Sequence, residues 1–162
     1  MSSIEKAKAT DIAASGLVAN TGASEGAKAT GKYTVECYDK DGNLKWVAET
    51  PNLVVNVGLQ YMAGSALTST AQITTWYIGL YGAAASNTPN ANDTMSSHGG
   101  WTEVTDYSES TRVAATFAAA TNANPSVVTN TASKAVFTIN GTTTVGGAFL
   151  TSNNTNAIIR IA

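Results

Sequence analysis

The chain has 162 residues, of which 43% are apolar and only 12% are charged, and its formal net charge is −2. This length is that of one ordinary domain with a buried core. The nine lysines and arginines form no basic stripe, which argues against a nucleic-acid partner because nucleic acid selects clustered positive charge. No window approaches the roughly 18 apolar residues of a membrane span, so we expect no membrane partner.

The first 31 residues are mainly Ala, Ser, Thr, Gly and Lys, with very few large apolar side chains. Such a segment buries too little surface to offset the entropy of ordering it. We therefore divide the chain into a flexible N-terminal arm, residues 1–31, and a folded domain, residues 32–162. Two interpretations of the arm stay open: plain disorder, or an arm that orders against a partner.

Two alternating segments, KYTVECY from Lys32 and LKWVAET from Leu44, are predicted to form a β-hairpin. Asp41-Gly42 between them is typical of tight turns with positive φ angles. The same DKDG could begin a calcium-binding loop, but Thr50 stands where that loop needs a glutamate. Cys37 lies within the alternation and is predicted to be a small buried side chain rather than a catalytic thiol.

The next elements are a short helix over residues 56–66, with Asn56 as its cap, and a strand in TTWYIGLYG. The spacing of the apolar helix residues predicts a buried stripe composed of Leu59, Met62, Ala63 and Ala66. In the strand, alternation predicts Trp76, Ile78 and Leu80 on one face and Tyr77 and Tyr81 on the other.

The remaining segments are short, β-rich and separated by turn residues: WTEVTDY, RVAATFAAA, SKAVFTIN, TTVGGAFLTS and AIIRIA. Strands at this spacing predict an all-β fold, an antiparallel β-sandwich of the jelly-roll type with one short helix. In WTEVTDY, alternation places Trp101, Glu103, Thr105 and Tyr107 on one face. The predicted core consists of Trp46, Trp76, Ile78, Leu80, Phe137, Ile139 and Phe149.

Residues 92–112 gather the side-chain types of an active site: Ser96, His98, Glu103, Asp106 and Ser108. A serine adjacent in sequence to the histidine rarely has the geometry of a catalytic triad. One histidine and one distant cysteine cannot supply the three or four ligands of a zinc site. We therefore predict a structural loop with no catalytic, cofactor-binding or metal-binding residue, in a protein that is not an enzyme.

Two alternatives involve the same region. A glycosidase would use Glu103 with Asp106 or Glu109 as its two carboxylates. In the structural interpretation, His98 bonds to backbone or to a carboxylate, and Asp106 and Glu109 lie close enough to Arg112 for a local ion pair, worth about 0–1 kcal/mol if exposed. A carbohydrate-binding module would use an exposed platform of aromatic residues, for which the candidates are Tyr77, Tyr81, Trp101 and Tyr107.

The ordered segments DKDGNLKW, NLVVNVGLQYM, WYIGLYG, NDTMSSHGGWTEVTDYSESTR, SKAVFTIN and VGGAFLTSNN resemble a family of small structural proteins of tailed bacteriophages. The resemblance spans roughly residues 33–155 and is strongest in DTMSSHGGWTE and SKAVFTIN. It implies a virion component, made in the host cytoplasm, that decorates or cements the head by binding the major capsid protein. It implies no catalytic residues. A tail, collar or fibre component is the alternative within the same class.

The last segment, AIIRIA at residues 157–162, is apolar and has only Arg160 to discourage strand pairing. Pairing within its own sheet and covering by a neighbouring protein both stay open. Added shell proteins bind where capsid subunits meet, and symmetry there favours a symmetric oligomer. We therefore expect a homo-oligomer, with a trimer ahead of a dimer.

Overall fold

The structure, a computed structural model, describes residues 28–82 and 88–155. In this part of the chain the regular secondary structure is mostly antiparallel strands with one short helix, which confirms the all-β prediction. The elements in chain order are β1 (Lys32–Tyr38), β2 (Leu44–Pro51), α1 (Asn56–Leu67), β3 (Trp76–Gly82), β4 (Glu103–Val104), β5 (Val113–Ala115) and β6 (Val145–Thr151). The predicted arm up to residue 27 and the whole of the segment AIIRIA, residues 157–162, lie outside the described residues.

β1 and β2 form the predicted hairpin, in a two-stranded antiparallel sheet of their own. Its turn differs in detail from the prediction, because Gly42 has a positive φ of 83° and Asp41 does not. The Gly42 N–H donates to the Asp39 carbonyl at 3.1 Å, and the Asp39 carboxylate accepts the N–H groups of Asp41 and Asn43 at 2.9 Å. A type I turn followed by one left-handed glycine therefore closes the hairpin.

β3 is the centre of a four-stranded antiparallel sheet. β6 pairs with it from Tyr77 to Gly82, along all of one edge except Trp76. The other edge is divided, because β5 pairs with Trp76–Ile78 and β4 with Leu80 and Tyr81. The gap between β4 and β5 lies beside Gly79.

Two glycines permit large aromatic side chains to lie flat on one face of this sheet. Gly79 pairs with Phe149 across the strands, and the phenyl ring occupies the space that a Cβ on Gly79 would need. Gly147 has the same relation to Tyr81. The predicted alternation of β3 is thus correct, and its glycine is a close-packing position.

The opposite face of the sheet carries the hydrophobic core. Leu80, Val104 and Tyr107 are buried there, and partly buried Phe137, Val145 and Ala148 pack against them. Of the predicted core, Leu80 is buried, while Trp76, Ile78, Phe137 and Phe149 are half-buried. The prediction was wrong for Trp46 and Ile139, which are 45% and 44% exposed. Trp46 lies on the hairpin, outside the four-stranded sheet, and Ile139 makes only an isolated bridge to Tyr107.

The helix has the predicted position but presents a different side to the protein. The predicted stripe of Leu59, Met62, Ala63 and Ala66 is exposed, and the half-buried positions are Gly58, Tyr61, Gly64 and Ser65. The apolar residues of this helix are distributed around its whole circumference, so their spacing does not define one buried face. Tyr61 selects it instead, because its ring packs edge-on against Trp76 at 5.5 Å and its hydroxyl accepts the Ile73 N–H at 2.7 Å.

Asn56 is the first helical residue and not the cap, which is Val55. The Asn56 amide instead donates to the Asn92 side chain at 2.8 Å, and its backbone N–H donates to Ala91 at 2.8 Å. The helix start is therefore held by the loop that follows β3.

Three predicted strands are shorter than expected or absent. WTEVTDY is a strand only at Glu103–Val104, and RVAATFAAA only at Val113–Ala115. SKAVFTIN forms no strand, because its backbone bonds go to separate loop groups: the Thr138 N–H to the Glu109 carboxylate and the Asn140 N–H to the Asp106 carbonyl. Residues 116–129 are exposed throughout, and they fold back on themselves where the Ala118 N–H meets the Thr129 carbonyl at 2.8 Å.

Replacing Leu80 by Ala should destabilise the domain by about 2–5 kcal/mol, because this side chain is buried at the centre of the core. Leu67→Ala is the matched control, since Leu67 is 72% exposed at the end of α1 and should change the free energy of unfolding by only about 0.5 kcal/mol. Chemical denaturation measures both. Equal losses in the two variants would place the core elsewhere.

Tyr33 reports on the packing of the hairpin base. Burial raises the pKa of Tyr33 to about 12, and the neighbouring Tyr81 adds to the effect. A raised pKa in the folded state favours the protonated phenol, so the stability that it contributes is complete below about pH 10 and is lost as the pH rises through about 12.

Absorbance titration of tyrosinate should therefore show a late-ionising group near pH 12 that Tyr33→Phe removes. The Tyr33→Phe protein should also lose less stability than the wild type between about pH 10 and 12. Tyr77→Phe is the control and should retain the late step. A Tyr33→Phe titration identical to the wild type in its last step would contradict this packing.

Candidate functional site

The loop at residues 90–101 is built by hydrogen bonds of short polar side chains. The Asp93 carboxylate accepts the Asn90 N–H at 2.8 Å and the Trp101 indole N–H at 3.0 Å. A tight turn follows, in which the Thr94 and Ser97 backbones bond to each other and the Thr94 hydroxyl also accepts the Ser97 N–H. Asp93 thus acts as a turn residue, and it also holds the indole of Trp101.

His98 is held against Trp101. Its ring stacks on the indole with centroids 3.9 Å apart and planes 18° from parallel, and its Nδ1 lies 3.1 Å from the Trp101 carbonyl oxygen. A carbonyl oxygen only accepts, so Nδ1 carries the proton in this contact. The interpretation of His98 as a loop histidine bonded to backbone agrees with this geometry.

Glu103 and Arg112 form a buried ion pair, with both side chains only 2% exposed. The Arg112 Nε and Nη2 atoms donate to the two carboxylate oxygens at 2.8 Å each, and Nη1 donates to the Asn153 carbonyl at 2.8 Å. This pair corrects the expectation that Asp106 or Glu109 would be the partner of Arg112 in an exposed ion pair. The bidentate geometry and the bond to the Asn153 carbonyl offset part of the cost of removing both charges from water.

Aromatic rings surround this ion pair on the same face of the sheet. The Arg112 guanidinium lies 5.3 Å from the centre of the Phe149 ring, and Phe149 packs against Trp101 at 5.0 Å. Trp101 also contacts Tyr81 at 5.8 Å. We call Tyr81, His98, Trp101 and Phe149, together with the Glu103–Arg112 pair, the aromatic–ionic cluster.

The four aromatic residues of the alternative sugar-binding platform do not lie together. Tyr81 and Trp101 do meet, but Tyr107 is 5% exposed and packs edge-on against Phe137 in the core, on the opposite face. A turn in which the Tyr107 N–H donates to the Thr105 carbonyl shifts the alternation after β4. The Tyr107 ring is therefore unavailable for stacking beside Trp101.

The other residues of the suspected active site lie in separate settings. Ser96 meets the Thr94 hydroxyl at 3.1 Å, and Ser108 accepts the Asn140 amide at 3.3 Å. Glu109 accepts the Thr138 N–H at 3.0 Å. Burial would raise the pKa of Glu109, but backbone hydrogen bonds, the one from Thr138 first, outweigh it and lower that pKa.

Asp106 uses its main-chain carbonyl, which accepts the Asn140 N–H at 3.1 Å. The thiol of Cys37 is half-buried on the hairpin, opposite Trp46. Among residues 28–82 and 88–155, no three His, Cys, Asp or Glu side chains are grouped so that they could hold a metal ion.

The largest feature of the surface that the sequence did not predict is exposed apolar side chains on β2 and α1. Every residue of β2 is exposed, including Leu44, Trp46 and Val47. On α1, Leu59 and Met62 are 45% and 40% exposed. The only signal in the sequence was that large apolar residues occur on both faces of β2 and around α1, more than one buried face requires.

Comparisons of the chain with protein-family models, with curated protein sequences and with solved structures found no match. Within the described part of the chain, no helix has the length and apolar character needed to cross a membrane.

Removing one partner of the buried ion pair should be costly. Arg112→Ala should destabilise the domain by about 3–5 kcal/mol, because it removes the bidentate counter-charge from the buried Glu103 carboxylate. Lys40→Ala is the control, since the Lys40–Asp41 pair is exposed and should contribute about 0–1 kcal/mol.

The double variant Glu103→Leu/Arg112→Met should regain much of the lost stability, because it removes both charges and keeps apolar volume. Denaturant unfolding of the four proteins measures this. A loss below about 1 kcal/mol for Arg112→Ala would show that the pair is solvated in solution.

Proposed function

We propose that this protein is a non-enzymatic structural component of a bacteriophage virion that binds the major capsid protein and stabilises the shell. The resemblance of residues 33–155 to small phage structural proteins supports this proposal. Its location would be the outer surface of the capsid, after synthesis in the host cytoplasm.

The observation that carries the proposal is the balance between buried and exposed apolar surface. Among the described residues only seven are buried, whereas fifteen large hydrophobic side chains are exposed. Monomeric soluble proteins rarely expose large contiguous apolar patches, and such patches mark interaction surfaces. In a protein bound to a capsid, neighbouring subunits would bury these exposed side chains.

The polar composition supports the same function. Only 12% of residues are charged, and Thr, Ser, Asn and Gly replace the missing charge. Hydroxyl and amide groups form hydrogen bonds with a partner without the desolvation cost of full charges. The arm, residues 1–31, would order on the capsid and thereby contribute to binding.

A jelly-roll sandwich is part of the proposal. The spacing of the predicted strands supports it. The position of the β1–β2 hairpin also supports it, because Tyr33 of the hairpin lies close enough to Tyr81 of the four-stranded sheet for Tyr81 to raise the pKa of Tyr33. The hairpin would supply strands to the second layer. We also propose a homo-oligomer, with a trimer favoured by the symmetry of shell positions.

The test is the number of copies per virion, measured by quantitative mass spectrometry of purified particles relative to the major capsid protein. A shell protein should be present in a fixed, large ratio to the major capsid protein. A few copies per particle would instead assign the protein to the tail, collar or a fibre. Absence from particles would overturn the proposal.

Deleting residues 1–31 tests the arm separately. The deletion should leave the circular dichroism of the β domain intact and weaken its binding to capsids that lack the protein. The full-length chain, added to the same capsids, is the control. Unchanged binding would remove the arm from the proposal and leave the capsid assignment to the copy number.

A further inference from the structure

Asn140 is the only asparagine of the chain that precedes a glycine, and both residues of this pair are exposed. The side-chain amide of an asparagine can be attacked by the peptide nitrogen of the next residue, and asparagine is accordingly a chemically labile residue. A glycine in the next position has no Cβ to obstruct the attack and leaves the backbone free to adopt the necessary conformation. The pair lies at the end of SKAVFTIN, residues 133–140, where this segment is attached to the loop at residues 105–109.

The two reacting groups are not held apart by hydrogen bonds. Among residues 28–82 and 88–155, no group accepts a hydrogen bond from the Gly141 N–H. The side-chain amide of Asn140 donates from Nδ2 to the Ser108 hydroxyl at 3.3 Å, which is long for a bond of this kind. The nitrogen that attacks is therefore free, and the amide that it attacks is held only weakly.

Close packing favours a glycine at position 141. A Cβ there would lie 3.1 Å from the Asp106 Cβ and 3.3 Å from the Asp106 carboxyl carbon. Both distances are shorter than the 3.4–4 Å of ordinary van der Waals contact, so a larger residue would have to displace Asp106. The residue that this position accommodates best is thus also the residue that least obstructs attack on Asn140.

We propose that Asn140 is a site of spontaneous deamidation, and that its isoaspartate product releases SKAVFTIN from the loop at residues 105–109. The Gly141 nitrogen forms a bond to the side-chain carbonyl carbon of Asn140, the bond from that carbon to the amide nitrogen breaks, and ammonia leaves with the proton of the Gly141 N–H. Water then opens the cyclic imide. Opening at the side-chain carbonyl gives aspartate, and opening at the main-chain carbonyl gives isoaspartate. Asparagine and water thus become ammonia and a carboxylic acid, and nothing is oxidised or reduced.

Isoaspartate changes the main chain at the point of attachment. The Asn140 N–H donates to the Asp106 carbonyl at 3.1 Å, while Gly141 lies against the Asp106 side chain. In isoaspartate the main chain runs through the side-chain methylene, so it is longer between these two contacts and no longer matches both. Phe137 of the same segment packs edge-on against Tyr107 of the core at 5.1 Å, so release also uncovers part of the core.

The product also adds a negative charge beside acidic side chains. Asp106 lies against Gly141, and the Glu109 carboxylate accepts the N–H of nearby Thr138 at 3.0 Å. A further carboxylate at Asn140 is repelled by both of them. The charge and the longer main chain therefore act in the same direction.

The pair Asp41–Gly42 could form the same cyclic imide, but its turn protects it. The Gly42 N–H donates to the Asp39 carbonyl at 3.1 Å, so the attacking nitrogen is engaged. The Asp41 carboxylate binds Lys40 at 2.7 Å, and a carboxylate is attacked less readily than an amide because it already carries negative charge. We therefore expect modification at Asn140 first.

Peptide mapping by mass spectrometry tests the modification in the full chain, incubated at mildly alkaline pH. Trypsin cleavage after Lys134 separates Asn140 from Asn122, an exposed asparagine that precedes alanine and is the internal control. Asn140 should deamidate at least about tenfold faster than Asn122, which corresponds to about 1.4 kcal/mol of activation free energy. Asn140→Gln should remove the fast product, whereas Asn122→Gln should leave it unchanged. Equal rates at the two asparagines would overturn the inference.

The chemically unfolded protein gives the rate that the local sequence alone sets. Because the Gly141 N–H is free in the fold, Asn140 of the folded protein should deamidate at a rate within about tenfold of the unfolded one. A folded protein that keeps Asn140 intact while the unfolded chain is converted would contradict the proposed site.

Hydrogen exchange measured by NMR tests the release. The Ser108 N–H donates to the Thr138 carbonyl at 2.9 Å, so it reports on the attachment from the side that is not modified. In the isoaspartate form, isolated by chromatography, this N–H should exchange at least about tenfold faster than in the unmodified protein. Asn140→Asp is the matched control, because it adds the charge without lengthening the main chain, and it should accelerate exchange less.

Unchanged exchange at Ser108 in the isoaspartate form would overturn the release, and so would exchange in Asn140→Asp that is equally fast. None of these measurements involves a capsid or the number of copies per virion, so the inference and the proposed function fail separately.

Discussion

The buried pair of Glu103 and Arg112 is the interaction on which the four-stranded sheet depends. Arg112 fills the gap beside Gly79, where neither β4 nor β5 reaches β3, and it joins Glu103 of β4 to the Asn153 carbonyl just beyond β6. Two short strands that would be marginal alone are thereby attached to the same edge. Among the ion pairs of the described residues, this one is desolvated, and removing one of its partners should cost more than removing a partner of an exposed pair.

This arrangement gives the two faces of the sheet different chemistry. One face has a small apolar core around Leu80, and the other has rings packed around an ion pair. The core includes loop residues such as Tyr107 and Phe137, and much apolar surface of the hairpin and the helix stays exposed. A fold of this kind gains stability from each neighbour that covers it, and the proposed role in an assembly would provide such neighbours.

The sequence predicted the elements whose signals are local. The hairpin around Gly42, the helix from Asn56 and the strands around Leu80 and Phe149 form where turn residues and apolar alternation placed them. The failures arise from non-local contacts. Tyr61 and not the apolar stripe selects the buried side of α1, and backbone bonds from Asn140 and Thr138 to loop groups prevent SKAVFTIN from forming a strand.

In the candidate site too, the features with local sequence signals could be predicted and those that depend on non-local contacts could not. The association of His98 with backbone and of Asp93 with a turn could be expected from neighbouring residues. The Glu103–Arg112 pair could not be expected, because its partners are nine positions apart and the turn at Thr105–Tyr107 interrupts the strand alternation between them. Strict alternation would place Tyr107 on the same face as Trp101, but the turn moves its side chain to the opposite face.

The excursion at residues 116–129 has a consequence for engineering. The Ala118 N–H and the Thr129 carbonyl are 2.8 Å apart, and the Thr121 N–H meets the Val127 carbonyl at 3.0 Å, so the ends of the exposed tip are already brought together. Lengthening a closed loop costs little additional entropy, and exposed tips of this kind tolerate insertion. A foreign peptide placed between Thr121 and Val127 would be displayed outward while both sheets keep their pairing, which makes this tip a suitable position for an antigen or an affinity tag.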